Sequence, residues 1–134
     1  METFKGRTIS PGKVEGDSLV SREPIGFYGG VDPKTGLFIE KGHELEGKSV
    51  KGKILVFPYG KGSTVGSYVI YGLAKNNQAP LAIVNKETET IVATGVILAG
   101  VPCVDKIPVE KIATGDHLVV DATAGTVSVI KRVQ

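Results

Sequence analysis

Ser63 is the side chain whose neighbours best equip it to do chemistry. It lies in the word YGKGST, between the apolar run Ile54 to Phe57 and a segment of helical spacing that ends near Asn76 and Asn77. Pro58 stops the run, and Gly60 and Gly62 give the backbone room for a tight turn. Val65, Val69 and Leu73 recur every fourth residue, which predicts a helix with one apolar face on a sheet and Ser63 at its N-cap. Backbone N–H groups and the positive end of the helix dipole converge at such a position. A hydroxyl there can help hold an anion or ionise as a base; the same serine is equally an ordinary helix cap.

The chain that must position this serine has 134 residues, enough for one domain with a real core. Charged residues make up 22%, apolar ones 41%, and the formal net charge is +2, an ordinary soluble balance. The lysines stand singly, as at Lys34, Lys41, Lys48, Lys51 and Lys53, without the basic run that tracks nucleic-acid phosphates. No apolar stretch approaches the roughly twenty residues that cross a bilayer, and the start METFKGRTIS has no signal-peptide core. A cytoplasmic protein that binds neither nucleic acid nor membrane is expected. Cys103 is the only cysteine, so this chain can form no internal disulfide and cannot ligate an iron–sulfur cluster needing about four thiolates. Between apolar neighbours it reads as a small buried hydrophobe. His43 and His117 stand apart with no third ligand spaced around them, so no metal site is expected and both read as structural or exposed.

Along the chain, Phe4 to Ser21 reads as two short strands broken by Pro11, Gly12 and Gly16. Asp32 to Gly36 is a turn and Leu37 to Glu40 a strand, while Gly26 to Gly30 is either a functional rim or a bulged crossing. The segment HELEGKSVKGK, with Glu44, Glu46 and its lysines, reads as solvated surface. A strand from Leu81 to Val84 should pair in parallel with Ile54 to Phe57 across the first helix. ETETIVATGVILAG is compatible with a second helix weakened by Gly95 and ended by Gly100; a strand follows from Val101 to Val104. HLVVDATAGTVSVI reads as a hairpin turning at Thr123 to Gly125, and the tail KRVQ should fray. The fold class is mixed α/β, and no linker or repeat divides it.

The words PGKVEGDSLVS, FYGGVDPKTG, KGKILVFPYGKGSTVGSYV and APLAIVNKETETIVATGVILAGVP, together most of residues 11 to 102, resemble the aconitase X small-subunit family. The resemblance implies a single swivelling β/β/α domain over residues 1–134, a barrel-like β layer packed with a short parallel sheet and helices. In archaea, free-standing small subunits of this family are, as the resemblance implies, subunits of phosphomevalonate dehydratase. That hydro-lyase converts mevalonate 5-phosphate to trans-anhydromevalonate 5-phosphate in the archaeal mevalonate pathway of isoprenoid biosynthesis. The family's serine in a Tyr/Phe-Gly-x-Gly-Ser-Ser/Thr turn is held to take the substrate proton, which puts that role on Ser63 and substrate contact on Gly62 and Thr64. A [4Fe-4S] cluster is implied in a large catalytic subunit, with none bound by this chain, and the substrate is a phosphorylated hydroxy acid. Lys61, Arg22 and Lys13 are candidates for its phosphate by charge alone.

Citrate-processing relatives continue the turn Ser-Ser-Arg-Glu-His, where the arginine grips a carboxylate. This sequence reads Ser63-Thr64-Val65-Gly66, which argues against aconitase or isopropylmalate isomerase activity. Other readings are a dehydratase subunit for another hydroxy acid such as a hydroxyproline, a phosphohistidine-type swivelling carrier, or a non-catalytic interaction domain. The carrier reading lacks a histidine at Thr88-Glu89-Thr90, and GKGST is no P-loop because its lysine precedes the second glycine.

Overall fold

The computed structural model describes residues 1–132. Eight strands form one sheet in the order β1-β8-β7-β3-β4-β5-β6-β2. They are β1 (Glu2–Lys5), β2 (Arg7–Ser10), β3 (Lys13–Val20), β4 (Ile54–Phe57), β5 (Ala82–Asn85), β6 (Cys103–Asp105), β7 (His117–Asp121) and β8 (Thr126–Ile130). The α-helices among the described residues are α1 (Gly66–Lys75) and α2 (Thr90–Ala99). The two ends of the order, β1 and β2, are joined by Gly6 alone, so the sheet curls into a nearly closed barrel. A Cβ at Gly6 would overlap the Asp105 carbonyl, so only glycine lets the chain pass between the two sheet edges.

The long strand β3 belongs to both halves of the sheet. Lys13 to Asp17 run antiparallel to β7, and Ser18 to Val20 run parallel to β4. The parallel half continues through β4, β5 and β6, with α1 and α2 as the crossovers the sequence predicts. Every residue of Ile54 to Phe57 is buried. Leu55 and Phe57 pack with Ile70 and Leu73 of α1 and with Val92 and Val96 of α2, while Ile54 and Val56 meet Leu118, Val120 and Val127 inside the barrel. An unbroken apolar strand is what burial on both faces requires.

Several expectations are corrected. Phe4 to Ser21 lies within three strands instead of two, because Gly6 breaks it where the sheet edges meet. Leu37 to Glu40 forms no strand; Leu37 and Phe38 make only isolated bridges to Ser49 and Val31, in a turn-rich strap from 21 to 53 whose Phe27, Val31, Phe38, Leu45 and Val50 anchor it in the core. The strands expected at Leu81 to Val84 and Val101 to Val104 are each displaced toward the C-terminus, to β5 and β6. Glu44 is no idle surface carboxylate: its Oε1 accepts from the amides of Arg22 and Glu23, and its own amide donates to Glu23 Oε2 at 2.8 Å. Of the tail, Lys131 and Arg132 are tied to Asp116, through an ammonium at 2.9 Å and an amide at 3.1 Å. Val133 and Gln134 lie outside the described residues.

Cys103 is fully buried, and burial pushes its thiol up to about 12, with Thr88 Oγ1 at 3.9 Å. It is the inert hydrophobe its neighbours suggested. His43 is buried and stacked on Phe38, accepting from the Leu45 amide at 3.1 Å and facing the Pro24 carbonyl at 3.2 Å. His117 is exposed on β7, where Glu15 and then Asp17 raise its pKa above the ordinary value.

Gly95 weakens α2 on paper, yet it is where the two helices cross. A Cβ there would lie 2.6 Å from Ile70 Cδ1 and 2.9 Å from Ile70 Cβ, and the second atom cannot swing aside. Alanine gains about 1 kcal/mol of helix propensity, whereas overpacking costs about 1–3 kcal/mol. Gly95→Ala is therefore expected to lower unfolding stability by about 1 kcal/mol in urea denaturation; an unchanged or raised midpoint would mean the helices separate at no cost.

Candidate active site at the serine turn

The serine turn leaves the sheet where β4 ends. Phe57 and Pro58 carbonyls are fixed from the next crossover: Asn85 Nδ2 donates to Phe57 O at 3.0 Å, and the amides of Lys86 and Glu87 donate to Pro58 O at 3.1 and 3.0 Å. The fully buried Asn85 is held in turn by Thr88 Oγ1 at 2.9 Å. Asp105, also fully buried, accepts the Thr88 amide at 2.9 Å and a two-point contact from Arg7 at 2.9 and 2.6 Å. That pairing keeps the Arg7 guanidinium pKa above its ordinary value. A chain of satisfied polar groups thus runs from the β2 edge to the last residue of β4.

Glu89 does two things at once. Its carboxylate caps α2, accepting the Ile91 and Val92 amides at 2.8 Å each, and it lies against the α-carbon of Gly60. A Cβ on Gly60 would stand 2.5 Å from Glu89 Oε1 and 2.6 Å from Val92 Cγ2. On the other side the strap crosses the turn: Ile25 N donates to Tyr59 O at 3.2 Å, and Lys61 N to Ile25 O at 3.0 Å. This bears on the stretch Gly26 to Gly30. Its first residues are a close crossing that also rims the turn, with the Lys61 stem lying over Gly26.

Gly62 has φ +89°, and Ser63 follows on the open surface. Ser63 Oγ accepts from Val65 N at 3.1 Å, and Ser63 O accepts from Gly66 N at 2.9 Å. The helix begins later than its spacing predicts. Residues 63 to 66 form a single tight turn, the formal N-cap of α1 is Val65, and Ser63 caps that preceding turn. Val65 itself is 44% exposed; the buried face is Gly66, Ser67, Val69, Ile70 and Leu73. Ser67 Oγ donates to Ile91 O at 2.7 Å, locking the starts of the two helices together.

Gly62, Ser63 and Thr64 follow one another on the exposed turn, with Lys61 one residue before them, its Nζ 4.0 Å from Glu40. Lys13 is not: it reaches toward Asp121 at 3.8 Å, at the other end of β3. His117 stands on the antiparallel half, and the turn opening α2 holds Thr88, Glu89 and Thr90, no histidine. Thr64, Val65, Tyr68, Ile91 and Leu98 line a groove of about 220 Å³ between the helix starts. Around it Tyr68, Ile97 and Leu98 are 69%, 61% and 52% exposed. Among the described residues no group of three or more His, Cys, Asp or Glu is placed to hold a metal ion. Cys103, buried and held as a thiol, does not fit a cluster either. Among the described residues no helix is long and apolar enough to cross a membrane.

The signature of the aconitase X swivel domain matches residues 3–129. The chain belongs to this family. Phosphomevalonate dehydratase small subunits from Methanosarcina mazei and Methanocaldococcus jannaschii are 55% and 58% identical to it. Those alignments each cover 96% of this chain and 92% and 98% of the relatives. The crystal structure of Thermococcus kodakaraensis aconitase X in its holo-form superposes with a TM-score of 0.96 at 53% identity, covering 98% of this chain and all of that one. The swivel fold expected from the sequence is thus the observed one.

Sequence reasoning missed Glu89 and Asn85 as supports of the turn. Glu89 stands just before the periodic segment of α2, a visible capping position, but only coordinates bring its other side to Gly60. Gly60→Ala forces a shift of the turn or of the α2 cap, and is expected to cost about 1–3 kcal/mol in thermal denaturation. Unaltered stability in this variant would mean that Glu89 does not brace the turn.

Proposed function

We propose that this chain is the small subunit of a hydro-lyase that dehydrates mevalonate 5-phosphate to trans-anhydromevalonate 5-phosphate in the archaeal mevalonate pathway, with Ser63 as proton acceptor. The reading rests on the names of its relatives and, above all, on one observation: a braced serine whose Oγ already takes a helix-start amide, on an open surface. In this proposal residues 1–134 act as one swivelling domain, in the cytoplasm, as half of an active site.

Dehydration of a β-hydroxy acid removes a proton from the carbon beside the carboxylate while the hydroxyl departs from the next carbon. The C–H electrons become the new double bond, and the proton goes to Ser63 Oγ. Serine is a feeble base unless its alkoxide is stabilised. The Val65 N–H and the dipole of α1 supply that, and one well-aimed donor is worth about 3 kcal/mol in an enclosed site. Gly62 and Thr64 would line the substrate's approach, and Lys61 would meet its phosphate, leaving Glu40 to do so. The departing hydroxyl calls for a Lewis acid, which we assign to a [4Fe-4S] cluster in a large subunit. Exposed Val65, Tyr68 and Leu98 along the groove that begins at Thr64 are the kind of surface a partner covers, and such cover would also exclude water from the turn.

Ser63 is exposed, so Ser63→Ala should fold normally. Reconstituted with the large subunit and its cluster, it is expected to lose roughly a hundredfold or more in kcat, the usual loss for a general base, while still forming the complex. Dehydration at the wild-type rate would remove Ser63 from the mechanism.

A further inference from the structure

The segment 47–53 carries no chemistry in sequence, yet its folding gathers cations. Gly47 and Gly52 adopt φ +81° and +70°, and the turns they allow bring Lys48, Lys51 and Lys53 to one concavity of about 310 Å³. Asp17, Thr114 and Gly115 line its other side. None of the three lysines makes an ion pair within 4 Å among the described residues, unlike Lys13, Lys61, Lys106 and Lys131. Gly115 lies beneath Arg132: a Cβ there would be 3.0 Å from its Nη1. The one lining carboxylate, Asp17, faces His117 Nδ1 at 3.4 Å and is already shared.

Three lysines thus line one hollow, with Arg132 against Gly115 at its border, in a chain whose formal net charge is only +2. A concave wall focuses such a field, and an uncompensated cluster of this kind attracts a multivalent anion. Lysine binds phosphate as a point charge and needs no fixed fork geometry, so mobile stems suffice. The size suits a small metabolite. The one large apolar lining residue, Leu19, is buried, so nothing there would enter an acyl layer, which favours a dissolved anion over a lipid headgroup. The hollow lies at the start of β4, before Ile54, whereas the serine turn leaves the end of that strand.

We propose that the hollow lined by Lys48, Lys51 and Lys53 is a second binding site, for a small phosphorylated anion of two or more negative charges. It is separate from the serine turn and does not depend on the proposed dehydratase activity.

Inorganic pyrophosphate, titrated into the full chain and followed by amide NMR, is the probe. Saturable shifts are expected at residues 17–19, 48–53 and 114–115, weakening between about 20 and 150 mM salt. The Lys48→Gln, Lys51→Gln, Lys53→Gln triple variant, all on turns or a strand edge, should keep its spectrum elsewhere and bind about tenfold more weakly. A charge-matched control, Lys5→Gln, Lys34→Gln, Lys86→Gln, should bind as the parent does. Shifts spread over all lysines, or equal binding by the triple variant, would overturn the site. So would loss of pyrophosphate binding when the large subunit is added, since the hollow would then be a subunit interface.

Discussion

The contact between the Glu89 carboxylate and the α-carbon of Gly60 is the constraint on which the serine turn depends. Two helices start at the same edge of the sheet, and each leaves amides that need partners. Glu89 satisfies those of α2, and by doing so places a carboxylate wall beneath the turn that opens α1. Only a residue without a side chain fits against that wall, so Gly60 is there for close approach, whereas Gly62 serves a positive φ. With Ile25 bonded across the opposite side and Asn85 holding Phe57, the backbone before Ser63 is fixed from three directions. The hydroxyl itself is left outside, on the surface.

That arrangement suits the half-site proposed above. A catalytic serine enclosed by its own chain would be buried against a substrate pocket; Ser63 is exposed, on a braced turn bordered by uncovered apolar side chains. The neighbouring Val65 is also exposed and uncharged, so the turn offers no carboxylate clamp of its own where citrate-processing sequences carry arginine. The single cysteine is buried, and in the proposed mechanism the cluster is assigned to another chain.

What was legible in the sequence follows from range. The strand Ile54–Phe57, the glycine turn, the parallel crossovers, α2 with its Gly100 cap and the final hairpin are all set by neighbours a few residues away. Long-range contacts decided the rest. Gly6 divides the first strands because β1 and β2 join opposite edges of the sheet. Leu37 to Glu40 alternates like a strand but finds only a strap partner, so it makes single bridges. Val65 matches the helical period and still points outward, because α1 turns its Gly66 and Ile70 face toward α2. Glu44 and the lysines of 48–53 looked like plain surface, since neither a backbone clamp nor a shared hollow has a local signature. Ser63 stands out in the sequence by its turn, whereas the contacts that brace the backbone before it do not.

In the proposed mechanism this chain presents one rigid base to a substrate held by a partner. A crystal structure of the assembled enzyme with substrate, or with a non-reacting analogue, tests it most directly. Ser63 Oγ is expected within about 3–3.5 Å of the carbon beside the substrate carboxylate, with the Val65 amide still donating to it. A substrate carbon out of reach of Ser63, with some other side chain in that place, would contradict it.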